Sequence, residues 1–184
     1  LLDYWLITPG RKSNRDYVKT SVAIRTTFDC SLERAFKCPM LCDIAKVHTG
    51  FGVMPRIMHC TDDQNWGKPG STKRVWAARS LTFAGGEISL DRVVERIENT
   101  YWKIEVSEFK SWMLGFTRFE GEWRTTELKP NKILIKYTYT LHSNSPWLYP
   151  VNWLFTKLFW RSYMKRVLEN VRVLAYGREP YQYD

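Results

Sequence analysis

The sequence predicts an α+β protein: a curved antiparallel sheet of about six to seven strands wrapped around a long C-terminal helix, with two short helices after the first strand. Three observations predict it. Strand-like alternation runs for most of the stretch from Val53 to His142. Those strands follow one another through short turns, which makes neighbours antiparallel. The sheet's apolar face is then too large for the short helices, so the amphipathic stretch from Pro146 to Gly177 must cover it.

Residues 1–20 read as an appendage, a short apolar piece followed by the polar run PGRKSNRDY. A single domain over 21–178 and a tail at 179–184 complete the chain. The first strand is SVAIRTTFD, where Val22, Ile24 and Phe28 alternate with polar neighbours. It runs into DCSLERAF, with Ser31 placed as an N-cap, and a second short helix is expected around Leu41–Val47. VMPRIMHCT and TKRVWAAR follow as strands, separated by the turn-rich DDQNWGKPGS. EISLDRVVERI and YWKIEVSEF are joined by a turn at Asn99-Thr100, and FTRFEGEWRTTEL and KILIKYTYTLH by Lys129-Pro130-Asn131. In the last of these Ile133, Ile135, Tyr137, Tyr139 and Leu141 share one face.

This layout resembles the helix-grip fold shared by START lipid-transfer domains, the birch-pollen-allergen family and the polyketide cyclase/dehydrase and lipid-transport group. FDCSLERAF, KPGSTKRV, GGEISLDRVVERIENTYWKIEV and GEWRTTELKPNKILIKYTYTL are similar in phrasing to that last group, over roughly residues 21–176. The resemblance implies a hydrophobic cavity between sheet and helix, open at one end and suited to a lipid, quinone or polyketide. It implies non-catalytic binding or transport, with cyclase/dehydrase chemistry as the alternative. None of these phrases is a catalytic signature.

Composition points the same way. Nine tryptophans exceed what a core of this size needs, which suggests rings lining a cavity or an interaction surface. The net charge of +9 is uneven: residues 87–128 carry nine acidic and six basic groups, whereas 151–178 carry six basic groups against Glu169 alone. That polarity fits attraction to an anionic surface or ligand. Nucleic-acid binding is set aside, because the aromatic sheet face that would stack bases lies under the long helix. LLDYWLITPG lacks a basic leader, so a reducing, cytoplasmic setting with free thiols is expected. CPMLC, with His48, His59 and Cys60 downstream, has poor zinc spacing, so neither a metal nor a cofactor is expected. No nucleophile elbow, phosphate loop or dinucleotide fingerprint is present.

At 100° per residue Trp160, Tyr163, Met164, Val167, Leu168, Val171, Leu174 and Ala175 share one helix face, and Trp153 continues that stripe seven residues earlier. Val151, Leu154, Phe155 and Leu158 form a second stripe on the opposite side. Either loops, the appendage or a bend near Lys157–Phe159 bury it, or it meets a membrane surface beside Lys157 and Arg161. A partner protein is the third option for that stripe. Within the C-terminal stretch the uncharged run Ser143–Thr156, with two prolines and two asparagines, is too short to span a bilayer.

The expected cavity lining is Trp102, Ile104, Phe119, Trp123, Tyr137, Tyr139, Trp160, Met164 and Val167. Arg92 and Glu108 are the candidate polar groups inside it; Arg92 shares the face of Ile88 and Leu90 unless the consecutive Val93-Val94 marks a bulge, which would turn it outward. His48, His59 and His142 are the candidate proton carriers, and no catalytic residue is assigned.

Overall fold

The computed structural model describes residues 18–61, 65–80, 83–109 and 115–183. The expected appendage, as far as residue 17, lies outside the described residues. Strand β1 (Val18–Phe28) begins three residues before the expected domain start. Helices α1 (Leu32–Leu41) and α2 (Ile44–Val47) follow, then β2 (Ile57–Cys60), β3 (Thr72–Ala77), β4 (Gly86–Ile97), β5 (Tyr101–Ser107), β6 (Phe116–Lys129) and β7 (Lys132–Ser143). Every pairing is antiparallel, in the order β1-β7-β6-β5-β4-β3-β2. The first strand therefore lies beside the last, and the others are hairpin neighbours. Asn99 and Asn131, at φ 57° and 59°, take the left-handed positions that tight hairpin turns require and that asparagine tolerates.

Helix α1 is joined to the sheet through tryptophans. Ser31 caps it, its hydroxyl accepting from the Arg34 N–H. Inside it, Pro39 has no N–H for the Ala35 carbonyl one turn back. The Trp123 indole N–H donates to that carbonyl at 3.2 Å, and Trp102 donates to Phe36 O at 3.3 Å. Trp66 serves Met40 O, at the helix end, at 2.9 Å. Trp102 and Trp123 are cross-strand partners and stack almost in parallel, 5.7 Å apart. The thiols of Cys38 and Cys42 lie 3.3 Å apart on this helix end, both free and buried. The tail also packs there: Gln182 and Tyr183 donate their backbone N–H groups to Leu41 O.

The C-terminal helical run has four pieces: a 3₁₀ turn (Pro146–Leu148), α3 (Tyr149–Leu154), a π-helical segment (Phe155–Trp160) and α4 (Arg161–Tyr176). Along α4 the buried face is the expected stripe from Tyr163 to Ala175. Upstream, the π segment adds about one residue to a turn and rotates everything before it. Asn152 and Thr156 occupy the inward positions, and Trp153 is exposed, contrary to the seven-residue spacing from Trp160. Thr156 pins the segment: its hydroxyl donates to Asn152 O at 2.7 Å and lies 2.7 Å from the Thr20 hydroxyl on β1. Among the described residues no helix is long and apolar enough to cross a membrane.

Candidate functional site

Between the concave sheet face, α2 and the C-terminal helix lies a cavity of about 120 Å³. Its walls come from alternate positions of the central strands, so one face of each strand builds them. Trp102 and Ile104 on β5, Phe119 and Trp123 on β6, Tyr137 and Tyr139 on β7, then Trp160 and Val167, all border it. Met164, the ninth expected lining residue, is instead buried in the core and does not border the cavity. Gly121 on β6 faces Tyr139 and Ile104: a Cβ there would sit 3.0 Å from Tyr139 Cζ and 3.2 Å from Ile104 Cγ1. The missing side chain leaves room for the Tyr139 ring.

Arg92 and Glu108 do not reach the cavity. Arg92 is exposed and bonds Glu105 at 2.7 Å on the outer face. Glu108 lies just past the end of β5 with φ 53°, exposed and 3.5 Å from the Arg74 guanidinium. The cause lies in β4. Ile88 is an extra residue in its pairing with β3, so Ile88 and Ser89 both border the cavity. From there the alternation is reversed, and Ser89, Asp91 and Val93 point inward where Leu90 and Arg92 were expected. A second bulge, at Val94, sets the alternation back.

The polar groups that do border the cavity are His48, Lys73, Ser89, Asp91, Tyr137, Tyr139 and Tyr163. Lys73 and Asp91 are directly opposed on β3 and β4, and both are buried. Burial lowers the Lys73 ammonium from the ordinary lysine value. Burial raises the Asp91 carboxyl to about 6, against the pull of Lys73 and of the Ser89 hydroxyl that donates to it at 3.0 Å. His48 Nδ1 lies 2.6 Å from the Tyr163 hydroxyl, and burial together with the Lys73 charge pushes its imidazole down to about 4. Burial moves Tyr139 up to about 12, and Tyr137 and Tyr163 upward as well, so all three remain hydroxyl donors at neutral pH. The sequence contained one signal for this cluster: Lys73 alternates with Val75 and Ala77, a charge on an apolar face.

The other two histidines lie elsewhere. His59 stacks on Trp76 at 5.0 Å, and His142 sits beside Arg118 and Glu120. Among the described residues no group of three His, Cys, Asp or Glu side chains is placed to hold a metal ion.

The second helical stripe divides. Val151, Leu154, Leu158 and Arg161 are exposed. Phe155 instead turns inward, stacked on Phe159 at 5.0 Å and against Phe116 at 5.6 Å, and so leaves the expected surface contact. The Lys157 ammonium donates to Ser21 O at 2.6 Å. Trp147, 91% exposed, and Tyr149 extend the exposed apolar band.

This arrangement defines the helix-grip fold, and solved structures of similar shape agree. The crystal structure of Ara h 8.0201 superposes with a TM-score of 0.63 at 13% identity, covering 87% of this chain and 99% of that one. Norcoclaurine synthase from Thalictrum flavum, in complex with dopamine and hydroxybenzaldehyde, gives 0.62 at 14% identity, covering 97% and 99%. SA2116 from Staphylococcus aureus, a protein of unknown function, gives 0.66 at 11%, covering 88% and 96%. No family model matches the sequence, and no curated protein sequence matches it.

Proposed function

We propose that this protein binds a hydrophobic small molecule of about one ring in the cavity between sheet and helix. One observation carries the reading: an interior space of about 120 Å³ bordered by Trp102, Phe119, Trp123, Tyr137, Tyr139 and Trp160. Its size is comparable to an engineered apolar cavity of roughly 150 Å³ that accepts benzene. A lipid chain or a multi-ring polyketide needs more volume, so the ring-sized ligand is favoured over both. Norcoclaurine synthase, which holds dopamine and hydroxybenzaldehyde in the same fold, supports a ligand of that scale. Any proton transfer here falls to His48, Lys73, Asp91 and the tyrosines, because Arg92 and Glu108 face solvent. The buried free thiols suit a reducing, cytoplasmic setting.

Native mass spectrometry of freshly purified protein, beside a denatured sample, tests this. A small co-purifying mass that leaves on denaturation supports it. A clean apo mass, with no saturable quenching of tryptophan fluorescence by toluene or benzoate, overturns it.

A second reading concerns delivery. The exposed band of Trp147, Tyr149, Val151, Leu154 and Leu158, beside Arg161, suits shallow contact with an anionic lipid surface. Interfacial tryptophan and tyrosine fit that setting.

A further inference from the structure

We propose that Lys73 anchors an acidic ligand: a carboxylate carried on a single ring, held by the Lys73 ammonium inside the cavity. This rests on the reading of the cavity as a ligand site. Lys73 is only 2% exposed, yet its ammonium forms no hydrogen bond and no ion pair with any described residue. It lies over the Trp66 ring at 3.9 Å and 5.6 Å from the centre of the Tyr183 ring. Ring faces return only part of what an ammonium loses on leaving water. Asp91, opposite it in the strand register, does not close a salt bridge with it and instead accepts from Ser89. A buried cation that borders a cavity and has no acceptor is matched by an anionic oxygen.

The rest of the polar inventory agrees. The hydroxyls of Tyr137 and Tyr139 stay protonated and interact with each other, which leaves one of the two protons for a ligand. The buried Trp160 Nε1 has no partner among the described residues. The Lys73 ammonium and the Trp160 indole are thus unpaired donors on residues that border the cavity, and a carboxylate supplies only acceptors. Asp91 is not a barrier to it. Its raised carboxyl needs only a small further shift to take a proton and donate.

Calorimetric titration of the full chain at pH 7 with benzoate, benzamide and toluene tests the anchor. Benzoate should bind at least about tenfold more tightly than benzamide, because only the acid meets the ammonium as an anion. Lys73→Met should lose at least about tenfold in benzoate affinity while keeping toluene. Should Lys73→Met fail to fold, Lys73→Gln replaces it, and the benzoate-to-benzamide ratio on the unaltered protein needs no variant. Equal affinity for acid and amide overturns the anchor, as does a substitution that weakens toluene as much as benzoate. Toluene binding without benzoate binding sinks the anchor alone. Failure of all three probes removes the cavity reading and the anchor together.

Discussion

The indole N–H of Trp123 reaches the Ala35 carbonyl at 3.2 Å, in the place where Pro39, one turn further along α1, has no N–H to give. The side chain of a sheet residue thus completes the backbone of a helix. Replacing Trp123 by Phe keeps a ring but leaves a buried carbonyl unpaired, at a cost of about 1–3 kcal/mol. In a Pro39→Ala background the backbone N–H restored at that position can take the carbonyl, so the same replacement should cost about 1 kcal/mol less. Denaturant melts of the four proteins measure the difference. Strict additivity would show that the indole bond does not stand in for the missing Pro39 N–H.

Trp160 borders the cavity and Arg166 is exposed on the far side of the same helix. Trp160→Ala should weaken retention of a ring-sized ligand strongly, while Arg166→Ala should leave it unchanged. Trp160→Ala also opens a void worth about 3–5 kcal/mol of stability, so the titration belongs well below its melting temperature. Equal binding by the two variants would move the site away from the helix.

His48 gives the fold an acid limit. Its imidazole is held down at about 4 against an ordinary 6.5, so the folded chain resists a proton that the unfolded chain accepts. Stability from this group is complete above pH 6.5 and is lost as pH falls through 6.5 toward 4. The loss is at most about 3 kcal/mol, and less to the extent that the partly exposed residue meets water. Thermal melts between pH 7.5 and 4 should fall for the native chain and fall less steeply for His48→Gln. Parallel profiles would remove His48 from the acid limit.

The exposed band on the first half of the helix predicts lipid contact that depends on both apolar surface and charge. Sedimentation with vesicles containing about one-third anionic lipid should be lost for Trp147→Ala with Leu158→Glu, and reduced by salt. Phe155→Ala should act on stability instead, because Phe155 packs on Phe159 and Phe116. Unchanged sedimentation of the double variant would end the membrane reading.

Much of the architecture was legible because it rests on periodicity. The alternation of Phe119, Gly121 and Trp123 against charged neighbours, and of Ile133 through Leu141, places the cavity wall without further information. What failed to read out was phase. The extra residue at Ile88 exchanges Asp91 for Arg92 on the inner face, and the π segment exchanges Asn152 for Trp153. Each is a one-residue offset set by tertiary packing, and neither leaves a mark in a period of two or 3.6. Lys73 was hidden for a different reason. A lysine on an apolar face reads as solvent-exposed until the sheet's curvature is known, because buried lysines are rare.

The π segment joins α3 to α4 with no loop between them. Trp147 and Trp160 thus lie on one helical run, roughly 20 Å apart at about 1.5 Å per residue, and the run continues to Tyr176. Thr156 and Lys157 clamp it to β1 partway along, through the Thr20 hydroxyl and the Ser21 carbonyl. A contact made at the Trp147 end therefore falls on the same helical run whose Trp160 ring borders the cavity, with the two anchors to β1 between them.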